Sequence, residues 1–113
     1  DDPELWELAS PVAQIHADTP PFMVLHGTHD SLIPVRDGQV FVEKLREVSA
    51  EPVVYTEMPG AEHAWDTIHS LRTEDTVDGV HRFLEWSLAR HKARAAPAED
   101  TTADADTEEE VAA

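Results

Sequence analysis

Two residues in this 113-residue chain are of the right type and spacing to do proton chemistry together. Asp30 closes the segment His26-Gly27-Thr28-His29-Asp30, and His63 closes Pro59-Gly60-Ala61-Glu62-His63. An imidazole serves as a general base only when its ring is held in one tautomer and its developing positive charge is stabilised. A carboxylate hydrogen-bonded to the far ring nitrogen does both. Such a pair ordinarily activates a nucleophile, and none is evident. Ser10, Ser31, Ser49, Ser70 and Ser87 all lack the flanking glycines of a Gly-x-Ser-x-Gly turn. The chain reads as an acid and a base without the group they serve.

The elements that must position this pair are legible as two strand-helix units. Phe22-Met23-Val24-Leu25-His26 is a continuous apolar run after Pro20-Pro21 and before Gly27. Without alternation, such a run predicts a strand buried on both faces, as in parallel sheets. Pro34 is expected as the first residue of a helix, with Asp37 complementing the N-terminal dipole and Phe41, Val42, Leu45 and Val48 forming its apolar stripe. Pro52 biases Glu51 away from the helical region and ends that helix near Ser49-Ala50. Val53–Met58 is β-branched and aromatic at its start and predicts a second strand, stopped by Pro59-Gly60. A last helix is expected from about Thr73 to Ala89–Lys92, with Val77, Val80, Phe83, Leu84 and Leu88 on its apolar face. The basic cluster Arg90, His91, Lys92 and Arg94 suits its C-terminal end. Residues 1–19 are less regular, with a helical turn around Leu5, Trp6 and Leu8 and a break at Pro11.

The order strand, helix, strand, helix implies parallel pairing through a right-handed crossover. Asp30 and His63 then lie just beyond the carboxyl ends of neighbouring strands, where open α/β sheets gather their functional groups. Strands about 4.8 Å apart bring such loops within hydrogen-bonding reach. Two parallel strands with two helices bury too little to make a comfortable domain, so the segment is expected to be the end of a larger sheet.

Charge sets further bounds. The chain has 24 acidic and 8 basic residues, a net charge of −16. Seven of the acidic residues fall after Pro97, in a stretch otherwise mostly Ala and Thr. Residues 97–113 are therefore expected to form a disordered acidic tail, and residues 1–96 the folded, incomplete α/β part. The acidity argues against nucleic acid as a partner, since binding there needs Lys and Arg to neutralise phosphates. There is no apolar run of membrane-span length and no signal-like start, so the expected location is cytoplasmic. Cysteine is absent, which removes disulfides and thiolate metal sites.

The patterns Pro20-Pro21-Phe22-Met23-Val24-Leu25-His26-Gly27-x-x-Asp30-x-x-x-Pro34 and Met58-Pro59-Gly60-Ala61-Glu62-His63-Ala64-Trp65 resemble the C-terminal part of an α/β-hydrolase. Within that superfamily the likeness is to esterases and lipases of the hormone-sensitive-lipase-like and feruloyl-esterase-like (BD-FAE) groups. Their triads run in the chain order Ser, acid, His. The resemblance implies a C-terminal β-α-β-α portion of a parallel sheet, with Asp30 as triad acid and His63 as triad base. It also implies a small-molecule ester substrate, no cofactor and no metal. The Gly-x-Ser-x-Gly elbow and the His-Gly-Gly oxyanion segment of that family are missing, so the chain alone is expected to be inactive. Its unpaired sheet edge is expected to pair with an absent N-terminal part.

Other readings of the same residues stand beside this one. A peptidase of the prolyl-oligopeptidase kind shares the terminal arrangement, and a non-catalytic module with the acidic tail as an interaction segment is a different class again. His26, His29, Asp30 and His63 are metal-ligand types, but His26-x-x-His29 lacks the helical face of a His-Glu-x-x-His site. By itself His26 reads as a strand-end histidine bonded to backbone, His29 as a solvent-facing one, and Trp65 as a packing residue.

Overall fold

The computed structural model describes residues 2–96; the expected acidic tail at 97–113 lies outside the described residues. Helix α1 spans Pro3–Ala9, strand β1 Phe22–Gly27, helix α2 Val35–Val48, strand β2 Val53–Met58 and helix α3 Leu71–Ala95, with a 3-10 turn at Trp65–Thr67. β1 and β2 pair in parallel, in a register running from Phe22 opposite Val53 to Gly27 opposite Met58. The expected β-α-β-α order and parallel sheet are observed. Among the described residues the sheet has these two strands, which leaves one edge of β1 open.

α2 is the helix that packs well. Its start differs from expectation by one position: Pro34 is the cap, with extended ψ of 138°, and Val35 is the first helical residue. The fixed φ of proline suits either place. From one face of α2, Val42 and Leu45 are fully buried, and the Phe41 ring meets Phe22 of β1 edge-on at 5.7 Å. Burying a side chain of this size contributes about 1.5–3 kcal/mol. The segment leading into β1 is fastened to the end of α2, where Ser49 Oγ donates to the Thr19 carbonyl at 2.8 Å and Ala50 N–H to that of Ala17 at 3.2 Å.

α3 begins at Leu71 rather than near Thr73, because Ser70 caps it: the Ser70 Oγ accepts from Thr73 N–H at 3.2 Å. Thr73, Thr76, Val80, Phe83, Ser87 and Arg90 form a half-buried stripe at helical spacing. Three of the expected core residues, Val77, Leu84 and Leu88, are instead 59%, 57% and 53% exposed. The far end of α3 is held by charge, with Arg90 Nε 3.1 Å from Glu51 Oε2 and Arg94 on the other oxygen of the same carboxylate.

β1 also departs from the sequence reading. Its residues are half-buried up to Gly27, not buried on both faces. The reason is cover: α2 seals one face, while α3 contributes no fully buried residue to the other.

Candidate active site

The two strands end together, and hydrogen bonds continue their pairing out into the loops. Thr28 N–H donates to the Met58 carbonyl at 3.1 Å, Gly60 N–H to Thr28 Oγ1 at 2.9 Å, and His29 N–H to the Ala61 carbonyl at 3.0 Å. Ser31 N–H then donates to Glu62 Oε1 at 2.6 Å. Two glycines permit this stitching. A Cβ on Gly27 would stand 2.3 Å from the Ala61 carbonyl oxygen, so only glycine allows the second loop to lie across the end of β1. Gly60 has φ of 68° after Pro59, and Ala61 N–H bonds to the Met58 carbonyl at 3.1 Å, which is the pattern of a type II turn.

At the end of these loops Asp30 and His63 meet. His63 Nδ1 lies 3.0 Å from Asp30 Oδ2 and 3.2 Å from Oδ1. Asp30 Oδ1 also accepts from the N–H groups of Leu32 at 3.0 Å and Ile33 at 2.8 Å, so the carboxylate is locked by its own loop. The Asp30 side chain is 8% exposed and that of His63 is 45% exposed. Desolvation pushes the Asp30 carboxyl up, but the bonds from Ile33, His63 and Leu32 outweigh it and hold the group below the usual carboxylate range. An ionised Asp30 accepts from Nδ1–H, which leaves Nε2 of His63 with the lone pair and able to take a proton.

His26 stands behind this pair. Its Nε2 is 2.9 Å from the Ile33 carbonyl and 3.5 Å from Asp30 Oδ2, and its ring packs over Gly38 of α2, where a Cβ would come within 2.5 Å of Nδ1. The backbone-bonded role expected for His26 is observed, with the Asp30 contact in addition. His29 is exposed, as expected, and its side chain takes no part.

A cleft of about 470 Å³ opens beside the pair, lined among others by Leu25, Ile33, His63 and Trp65. Trp65 is half-buried between this cleft and a second one of about 360 Å³ against α3. Ala64, immediately after His63, has φ of 56°, a left-handed conformation rare for a residue with a Cβ. Arg72 of α3 donates to the Pro59 carbonyl at 3.0 Å and ties the helix to the turn. Among the described residues no group of three His, Cys, Asp or Glu side chains is placed to hold a metal ion, and no helix is long and apolar enough to cross a membrane.

Glu62, Thr28 and Arg72 escaped the sequence reading. Each acts through a bond to backbone across a loop, and such a bond leaves no periodicity or spacing to find.

Comparison with known proteins gives a consistent result. The BD-FAE family model matches residues 1–45. "Probable carboxylic ester hydrolase LipM" of Mycobacterium tuberculosis is 48% identical over 89 residues, covering 79% of this chain and 21% of its own length. Esterase LipC of the same organism is 41% identical over 93 residues, covering 82% and 22%. The chain thus spans about a fifth of the length of these relatives. Among solved structures, Thermogutta terrifontis esterase 2 phosphorylated by paraoxon superposes with a TM-score of 0.63 at 25% identity, over 69% of this chain and 31% of the other.

Proposed function

The chain belongs to the carboxylesterase-like α/β-hydrolases, and from that premise we propose that it carries the acid and base of a serine-type carboxylic ester hydrolase. The observation that carries the reading is the 3.0 Å contact between His63 Nδ1 and Asp30 Oδ2 on adjacent loops past β1 and β2. That is the geometry in which a carboxylate orients a general base.

In the proposed reaction, a serine from outside these 113 residues attacks the ester carbonyl while His63 Nε2 takes its proton. His63 then returns that proton to the departing alcohol, leaving an acyl-enzyme. Water repeats the cycle, with His63 again as base, and releases the acid. Throughout, Asp30 holds the ring and offsets the imidazolium charge. The substrate is a small-molecule ester. The open edge of β1, with Met23 and Leu25 only half-buried beside it, is where the rest of the sheet pairs. Organophosphate phosphorylation of the structural neighbour supports a nucleophile of this kind.

The chain alone is expected to release no p-nitrophenol from p-nitrophenyl butyrate above its His63→Ala control. A longer protein that includes the missing sheet is expected to turn the ester over, and paraoxon to stop it by phosphorylating one serine outside these residues. Turnover by the 113-residue chain, or a paraoxon adduct on one of its own serines, would overturn the proposal.

A further inference from the structure

Beyond the ends of β1 and β2, one side-chain atom joins the loop of the acid to the loop of the base. Glu62 Oε1 accepts from Ser31 N–H at 2.6 Å and from His63 N–H at 2.8 Å. Ser31 directly follows Asp30, and the second donor belongs to His63 itself. A single carboxylate oxygen therefore sits between the backbone of the acid's neighbour and the backbone of the base. The same residue opens the tight turn beyond, where Trp65 N–H reaches the Glu62 carbonyl at 3.3 Å and Ala64 is held left-handed.

We propose that Glu62 is the positioning residue that sets the Asp30–His63 distance, by clamping the two loops through its Oε1. The inference rests on the esterase reading for its effect on rate, but the clamp itself is a property of the loops.

Several features favour a clamp over an idle surface carboxylate. Apart from the Asp30–His63 pair itself, the other bonds across the loops, from Thr28 and His29, reach only as far as Ala61. Among the described residues no other side chain bonds from one loop to the backbone of both Ser31 and His63. Hydrogen bonds to an ionised acceptor are short and roughly twice as strong as neutral ones. The carboxyl is held below its usual range, first by the His63 N–H and then by Ser31, although the nearby Asp30 charge opposes this. Without the clamp, His63 would rest on its side-chain bond to Asp30 and on a strained turn. A displacement of about 1 Å in a catalytic group costs on the order of 100-fold in rate.

The test separates geometry from charge. Gln keeps an oxygen at the Oε1 position and loses the charge; Ala loses both; Asp keeps the charge but is one methylene too short. In the ester-hydrolysing protein, Glu62→Ala is expected to lower kcat roughly 10- to 100-fold with KM changed by less than about twofold. Glu62→Gln, whose neutral oxygen makes the same bonds at roughly half the strength, is expected to restore a clear part of that loss, and Glu62→Asp to restore little. A second readout needs no turnover: the far-downfield proton resonance of His63 Nδ1–H should be sharp in wild type and Glu62→Gln, and broadened in Glu62→Ala. Circular dichroism of each variant checks folding, and Glu62→Asp serves if the Ala variant does not fold. The proposal is overturned if Glu62→Ala keeps wild-type kcat and a sharp resonance. It is equally overturned if Gln loses as much as Ala, since the charge and not the clamp would then matter. Absence of wild-type turnover with the resonance pattern intact would refute the esterase reading and leave the clamp standing.

Discussion

α2 and α3 flank the same two strands and are held to them in different ways. α2, with 14 residues, places Val42 and Leu45 in the interior. α3, with 25 residues, buries none and leaves Val77, Leu84 and Leu88 more than half exposed. Polar groups hold it at its two ends, through Arg72 on the Pro59 carbonyl and through Arg90 and Arg94 on Glu51. The contrast teaches that a two-stranded sheet is wide enough to seat one helix. On the helix beyond it, Val77, Leu84 and Leu88 stay exposed, because these strands do not cover them. The rim carrying Asp30 and His63 depends on neither stripe, because backbone and short side-chain bonds stitch it to the strand ends.

The contrast breaks most directly in the interior. Leu45→Ala is expected to destabilise the chain by about 2–5 kcal/mol, whereas Leu84→Ala costs within about 0.5 kcal/mol, both by denaturant unfolding. Equal costs would abolish the distinction. In a protein with the wider sheet, a Leu84→Ala cost that rises towards the Leu45 value would sharpen it.

The rim comes next. Gly27→Ala drives a methyl into the Ala61 carbonyl, a backbone atom that cannot swing aside. A loss of about 1–3 kcal/mol is expected, together with a disturbed His63 ring resonance. Retention of both would show that the loops tolerate separation.

Acid acts on both regions at once. The carboxyls of Glu51 on the α3 side, Glu57 beside α2, and Asp30 and Glu62 on the rim are all held below their unfolded values. Depressed carboxyls contribute stability that is present above the unfolded pKa and is lost as pH falls through the folded one. The unfolding midpoint is therefore expected to hold from about pH 7 to 5 and to fall below about pH 4. In Glu51→Gln the α3 share of that fall should disappear. An acid limb of unchanged size in this variant would mean that the Arg90–Arg94 anchor is idle.

The smallest effect is at Ala64. Relief of its left-handed strain by Ala64→Gly is offset by glycine's added chain entropy, for a net gain of no more than about 1 kcal/mol in thermal unfolding. A clear loss would indicate that the Ala64 methyl contributes to packing.

How much of this was legible follows from what kind of force places each part. β2 at Val53–Met58 and the core of α2 could be read because β-branching, proline stops and helical periodicity are local signals. That Asp30 and His63 meet could be read because both follow the ends of neighbouring strands, and the parallel register brings those ends together. The half-burial of β1 and the exposure of Leu84 and Leu88 could not be read. Periodicity states which face of a helix is apolar, and says nothing of whether a surface exists to cover it. Ser70 caps α3 two residues upstream of the start that Glu74 and Asp75 suggest, since acidic residues and a capping Ser are competing start signals in this stretch. The Glu62 clamp and the Gly27–Ala61 approach join residues more than thirty positions apart through single atoms, beneath the reach of any pattern.

The central claim is that Asp30 and His63 work as one acid–base unit, and steady-state hydrolysis of p-nitrophenyl butyrate by the ester-hydrolysing protein tests it most directly. His63→Ala and Asp30→Asn should each lower kcat by roughly 10³-fold or more, and the double variant should fall little further than the worse single one. Single variants within tenfold of wild type, or losses that multiply in the double variant, would contradict it.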